Sequence, residues 1–356
     1  MNPTYNLAVN LPLLRQAATR LCEALSTTRV DADDLGYPDP AGPFEVRQSV
    51  ARWLERTGGH GAVDPALLML TNGARHALRL ALLSGQADES SAVLVEERTY
   101  QGFRTIAQAS GLRCVAVAMD QHGMRPDALA QSKRESAANA VYLQPTLHNP
   151  TTATMPFSRR VELAQVAEQL DLRIIEGDVY APLAWHGGTP LPPFSVVAPC
   201  RTVHAGGIGK ILGPGLRMGW LLHPDPPSHA RATRAVERDL DGLPALWPRV
   251  VGRLMDDGTA DVLLDDLASA MKERAAIARR ILGPGLVTAG ASLHAWLPCA
   301  EATTLESRLL ARGVRVAAPT GFVGEGRPVD GIRIALGAEE RLDRLEEALR
   351  IVADAR

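Results

Sequence analysis

The sequence predicts an α/β protein: a large domain with a mostly parallel sheet between helices, joined to a smaller α+β domain. Three observations carry this reading. Short β-rich runs alternate with helical patterns up to Trp220, as in layered α/β folds. Several of these runs are apolar at nearly every position, as expected of strands buried on both faces of a parallel sheet. The proline-rich stretch HPDPPSH (223–229) then breaks the pattern, and the chain beyond it mixes longer helices with scattered short strands.

Taken in order, strands are expected at Ala92–Glu97, Arg113–Ala118, Ala140–Gln144, Leu172–Glu176, Arg201–His204 and Met218–Leu222. The helix Ser158–Leu170 carries Leu163, Val166, Ala167 and Leu170 at i, i+3, i+4 and i+7. Past the break, helices are expected over Ala230–Asp256 and Asp261–Leu282. Strands follow at Leu293–Leu297, Val314–Ala317 and Gly331–Ala335, then an amphipathic helix from Glu339. The expected division is an N-terminal segment 1–44 packed with the small domain, a large domain 45–255, and a small C-terminal domain 256–356. No internal repeat or low-complexity tract is evident.

Composition excludes several classes. The 356 residues are 46% hydrophobic and 22% charged, ordinary for a globular chain. A net charge of −2 provides no basic footprint for nucleic acid. No apolar run approaches the roughly 18 residues of a membrane span, and the first residues lack the pattern of a secretory signal. Cys22, Cys114, Cys200 and Cys299 are scattered without metal-ligand spacing, so neither a bound metal nor a disulfide framework is expected, and a cytoplasmic location is.

Of 38 basic residues only three are lysine: Lys133, Lys210 and Lys272. Lys133 is expected in a polar stretch between elements, and Lys272 off the apolar stripe of its helix; both read as solvated surface groups. Lys210 lies in HAGGIGKILGPGLRMGW, an apolar, glycine-rich segment after an expected strand, with no acid beside it. Such surroundings depress an amine's pKa and leave it able to attack a carbonyl. A phosphate-binding P-loop fails, because His204 and Ile211 stand where it needs glycine and a hydroxyl residue. A GxGxxG dinucleotide fingerprint fails as well, with Leu212 in the last glycine position.

With Lys210 in view, the chain from Tyr37 to the C-terminus resembles the fold-type I pyridoxal-phosphate enzymes of the class I/II aminotransferase family. The likeness is nearest to the aminotransferase-like domains of MocR-type regulators. It rests on several motifs in the right order. The segment Lys210-Ile-Leu-Gly-Pro-Gly-Leu-Arg217-Met-Gly219 matches the family's lysine motif. The resemblance implies that Lys210 holds the cofactor aldehyde as a Schiff base and shuttles the substrate's Cα proton, and that Arg217 clamps the phosphate. In IIEGDVYAPL, Asp178 would keep the pyridine nitrogen protonated, and Tyr180 would bond the ring oxygen. Asn149, in HNPTTATMP, would contact the same oxygen and the substrate. Gly73, Ala74 and Arg75, in LTNGARHALRLAL, would receive the phosphate at a helix start. Tyr100 would stack on the ring. Tyr37 would reach the phosphate of a neighbouring subunit, implying a homodimer. Arg333, in GIRIALG, would bind the α-carboxylate of an amino-acid substrate.

The chain departs from the family at two places. Gly207 and Gly209 stand where hydroxyl residues usually precede the lysine, so the resemblance implies that one or two phosphate contacts are missing, with Arg75 or a water to compensate. The thirty-odd residues before Tyr37 show no basic helix-turn-helix pattern, which favours a stand-alone enzyme over a regulator. The resemblance implies an aminotransferase. It leaves open β/γ-elimination, replacement or cyclisation in specialised biosynthesis, with S-adenosylmethionine among the substrates, and a cofactor-binding sensor without turnover.

Overall fold

The computed structural model describes residues 4–30, 32–84, 91–324 and 327–356. Among the described residues, thirteen strands occur in chain order: β1 Tyr5–Leu7, β2 Leu68–Thr71, β3 Ala92–Glu96, β4 Arg113–Val117, β5 Met119–Asp120, β6 Gly123–Met124, β7 Ala140–Leu143, β8 Arg173–Gly177, β9 Thr202–Gly207, β10 Gly219–Leu222, β11 His294–Pro298, β12 Val314–Val316 and β13 Gly331–Ala335. The main sheet has seven strands in the order β2-β10-β9-β8-β7-β3-β4. Only β10 runs antiparallel to its neighbours; the pairs from β9 to β4 are parallel.

The all-apolar strands are explained by two-sided burial. Val93, Val95 and Ile175 pack into one core with Ala77, Leu78, Ala81 and Phe103. Their neighbours Leu94 and Ile174 point the other way, into a core with Leu163, Ala167 and Phe194. Successive strand residues face opposite sides, so every position is apolar. A third core joins β1 and the C-terminal strands to the long helix Thr259–Leu282 and the last helix Leu342–Ala355. There β1 pairs in parallel with β12, and β11 with β13 antiparallel. Residues 5–7 are thereby held against the C-terminal part of the chain.

The expected strands appear with ends shifted by a few residues, and two expectations are corrected. The single helix Ala230–Asp256 is two helices, Pro226–Leu240 and Leu246–Asp256. Asp241 and Gly242 break it at φ 57° and 133°, and a Cβ on Gly242 would lie 2.7 Å from Pro38. Lys133 is not in a loop. It lies in the last turn of the helix Pro126–Arg134, started by a proline at its first turn, and its Nζ donates to the Ala138 carbonyl at 2.8 Å. It is half-buried, whereas Lys272 is exposed as expected.

The topology gathers the site at one edge. Parallel strands place their C-terminal ends together, where ligands of open α/β sheets bind. Tyr100 follows β3, Asn149 follows β7, Asp178 and Tyr180 follow β8, and Lys210 follows β9. Gly73 follows β2. Arg217 precedes β10, and because β10 is antiparallel its start lies at this same edge: Gly219 is in register with both Thr71 and Gly207.

Candidate active site

Two connecting cavities lie at that edge. A smaller one, about 130 Å³, is lined by Gly73, Ala74, Arg75, Gly207, Gly209, Lys210 and Arg217. A larger one, about 400 Å³, is lined by Asn10, Tyr100, Tyr142, Asn149, Tyr180, Lys210 and Arg333. Arg75, Tyr100 and Lys210 face both. Arg75 and Arg217 are exposed and stand at the mouth of the smaller cavity, while Tyr100 and Lys210 are set deeper.

The smaller cavity is shaped to receive an anion. The helix Ala74–Leu83 starts without any side-chain cap, and its first N–H groups and dipole favour negative charge. Gly73, at φ 77°, allows Arg217 to approach: a Cβ there would lie 3.3 Å from the guanidinium carbon. Arg217 adopts a left-handed backbone at φ 50° and donates to the Asn72 carbonyl at 2.8 Å, which aims it across the turn. The two glycines before Lys210 have a steric reason. A Cβ on Gly207 would lie 3.2 Å from the Met218 carbonyl and 3.5 Å from the Ala74 nitrogen; one on Gly209 would lie 3.2 Å from Pro214 Cα. Larger residues would crowd the backbone that frames the cavity.

Lys210 stands between the two cavities without a carboxylate partner. Its Nζ donates to the Asn10 carbonyl at 2.6 Å. Burial, then the charge of Arg333, lowers its pKa to about 8. A sizeable neutral fraction is thus present near neutrality. Asp178 is buried, and its Oδ1 accepts from the Ala181 N–H at 3.0 Å. Burial raises its pKa to about 6, while His204 pulls against that rise. His204 is anchored by Glu176 at 3.2 Å; burial disfavours its cation, but the bond to Glu176 outweighs this and raises its pKa. Glu176 is fixed in turn by the N–H groups of Phe194 and Ser195. A second tier of charge therefore lies beneath Asp178.

Asn149 and Arg333 meet directly. Arg333 Nη1 donates to Asn149 Oδ1 at 2.8 Å, and Nη2 to the Ala8 carbonyl at 2.5 Å. Its guanidinium lies 5.1 Å from the centre of the Phe322 ring, and its buried Nε has no partner among the described residues. The Asn149 loop is stapled by Arg160, which donates to the carbonyls of Met155, Pro192 and Pro145 and to the Thr146 hydroxyl. Tyr142, stacked on Phe103 at 3.8 Å, forms part of the floor.

Of the eleven residues singled out in the sequence, nine line the two cavities, and Asp178 lies between the lining residues Gly177 and Val179. Tyr37 is not among them; it is 93% exposed and outside both cavities. Sequence reasoning missed Asn10 and His294. Asn10 Nδ2 lies 2.8 Å from the Tyr180 hydroxyl and 3.0 Å from His294 Nδ1. Neither belongs to a motif. The one available signal was an amide placed in the otherwise apolar run LAVNLPLL.

The family model described as aminotransferase class I and II matches residues 3–349. Curated relatives include the uncharacterised HTH-type transcriptional regulator YisV of Bacillus subtilis, 28% identical over 240 residues, which cover 67% of this chain and 49% of the relative. An uncharacterised aminotransferase of Saccharolobus solfataricus is 24% identical over 343 residues, 89% of this chain and 82% of the relative. The chain spans about half the length of the first of these. Among solved structures, an archaeal alanine:glyoxylate aminotransferase superposes with a TM-score of 0.88 at 22% identity, covering 98% of this chain and 90% of that one. That likeness shows the fold.

Proposed function

The chain belongs to the class I and II aminotransferase family, and from that premise we propose that it is a pyridoxal-phosphate-dependent enzyme transferring the amino group of an α-amino acid. The observation that carries this reading is the placement of Lys210. It is the one lysine at the sheet edge, depressed in pKa, unpaired with acid, and flanked by the cavity of Gly73, Ala74 and Arg217 on one side and by Arg333 on the other.

The residues present fit the cofactor. The uncapped helix start at Ala74, with Arg75 and Arg217, suits its phosphate. The buried carboxyl of Asp178 suits its ring nitrogen, Tyr180 and Asn149 its ring oxygen, and Tyr100 its ring face. When bound, pyridoxal phosphate supplies an aldehyde that takes up the substrate amine and a ring that accepts electrons from the substrate α-carbon.

The chain's own residues do the rest. Arg333 grips the α-carboxylate through a planar fork, which requires it to release Ala8 or Asn149. The neutral fraction of Lys210 takes the proton at the α-carbon and returns it elsewhere. Asp178, ionised above about pH 6, holds a proton on the ring nitrogen by charge. Enclosure by Tyr142, Tyr180 and the Asn10 segment keeps water away and strengthens these interactions.

Incubation of the loaded protein with α-amino acids tests the reading. Formation of pyridoxamine phosphate, reconverted by keto acids, supports transamination. Released side-chain fragments without pyridoxamine phosphate would mean elimination or replacement. No turnover despite tight cofactor binding would mean a sensor, a reading favoured by the regulators among the relatives. The Arg333→Gln variant should retain the visible band of the loaded protein. Its kcat/KM should fall about a hundredfold, mostly through KM, as expected for losing a charge-assisted pair. An unchanged KM would place the carboxylate elsewhere.

We also propose the division into an N-terminal segment 1–44, a large domain 45–255 and a small domain 256–356, supported by the pairing of β1 with β12. A cytoplasmic homodimer, with Tyr37 reaching across to its partner, accords with that residue's exposure.

A further inference from the structure

Asn10 is 6% exposed and lines the larger cavity; His294 behind it is fully buried. The hydrogen bonds between them run in one direction only. His294 Nε2 lies 3.2 Å from the His148 carbonyl, which can only accept, so Nε2 carries the proton. Nδ1 of a neutral ring is then an acceptor, and the group facing it at 3.0 Å must be the amide Nδ2–H of Asn10. This fixes the amide's orientation. Its second N–H points at the Tyr180 oxygen, 2.8 Å away, which accepts. The tyrosine's own proton is not used here: Asn10 Oδ1 is buried with no partner among the described residues. Burial, then the charge of Arg333, lowers the His294 pKa to about 3 against the opposing bond to the His148 carbonyl, so the ring stays neutral at any working pH.

We propose that Asn10, fixed by neutral His294, is a positioning residue that turns the Tyr180 hydroxyl proton into the cavity, where it donates to the ring oxygen of the cofactor. The inference rests on the cofactor reading above. It assigns a role to the N-terminal segment that no motif carries: a residue 170 positions before the site's tyrosine sets which way that tyrosine donates. The same residue also holds Lys210 through its carbonyl, so one position governs both groups.

The test has two independent parts. In the cofactor-free protein, ¹⁵N NMR of His294 should show Nε2 protonated and Nδ1 bare, with no titration between about pH 5 and 8. A protonated Nδ1, or a ring that titrates in this range, overturns the inference without reference to any cofactor. In the loaded protein, the pH midpoint of the visible band reports the proton affinity at the ring. Asn10→Asp offers a carboxylate to Tyr180, which then donates to it instead, and the midpoint rises. Tyr180→Phe also raises it. The new charge acts in both backgrounds, so the difference between them isolates the hydroxyl. Asn10→Asp should therefore raise the midpoint by about one pH unit (tenfold in proton affinity) more with Tyr180 present than with Phe. Equal shifts in both backgrounds would overturn the proposal and leave the cofactor reading intact. Failure of the wild-type protein to form the band would instead remove the cofactor reading, while the NMR result still stands or falls on its own.

Discussion

Lys210→Met should abolish the visible band formed with pyridoxal phosphate and lower turnover by about ten-thousandfold or more, while leaving the fold intact. The methionine fills the lysine's volume without its charge. Lys210 has no acid near it, and burial drops its pKa from the ordinary 10.5 to about 8. That difference means the charged amine costs the folded, cofactor-free protein about 3 kcal/mol at neutral pH as an upper bound. The variant is therefore expected to melt no lower than wild type. Borohydride reduction of the loaded wild type should attach the cofactor to the peptide containing Lys210. Attachment at Lys133 or Lys272, or a band that persists in Lys210→Met, would refute the assignment. The geometry opposes attachment at either, since Lys133 bonds the Ala138 carbonyl and Lys272 lies in the open on its helix.

Asp178→Asn has the second-largest expected effect, and it acts in opposite directions on stability and activity. The amide keeps the oxygen that accepts from Ala181 but removes the charge. Because burial raises the Asp178 pKa to about 6 from 3.8, the folded protein binds this proton more tightly than the unfolded chain. The carboxyl's favourable contribution is complete below about pH 4 and is lost as pH rises through about 6. Above that the ionised group destabilises the cofactor-free protein by up to about 3 kcal/mol. Urea unfolding should show the Asp178→Asn variant more stable than wild type at pH 7.5, with the advantage shrinking at pH 5. A difference independent of pH would contradict the buried-carboxylate account. With cofactor the order reverses: kcat/KM should fall about a hundredfold to a thousandfold, as for removal of a preorganised charge, and pyridoxal phosphate should stabilise wild type more than the variant.

These two expectations share a cause. Lys210 and Asp178 each lose solvation on folding and gain no charged partner from the protein in full measure. They are held at the sheet edge by apolar packing elsewhere, and a ligand carrying a phosphate, a ring nitrogen and an aldehyde would relieve both. Strain of this kind is expected at functional sites rather than in a structural core.

Much of the fold was legible from local pattern. Strands β3, β7 and β8 appear close to their expected ends because two-sided burial leaves uninterrupted apolar runs, with β8 offset by one residue at each end. The break at Asp241–Gly242 was carried by DGLP, a turn signal that the apolar periodicity on either side obscured. The helix holding Lys133 was hidden by its polarity: Leu129 is its one buried residue. At the site, Lys210 stood out by its apolar, glycine-rich setting, and Asp178 and Arg217 only through motifs shared with the family the chain resembles.

The sequence by itself determined the layered α/β class and the one lysine set in an apolar, glycine-rich segment, since both depend on residue type and local order. The tertiary structure alone decided what holds those residues. The antiparallel run of β10 brings Arg217 to the edge where Gly73 and Lys210 lie. The close backbones of residues 73–74, 207–209 and 218–219 leave little room for side chains at Gly207 and Gly209. The pairing of β1 with β12 carries Asn10, 200 positions from Lys210, onto its amine. Contacts between such distant positions leave no periodic or spacing signal, because they are set by how whole elements pack and not by any one segment's pattern.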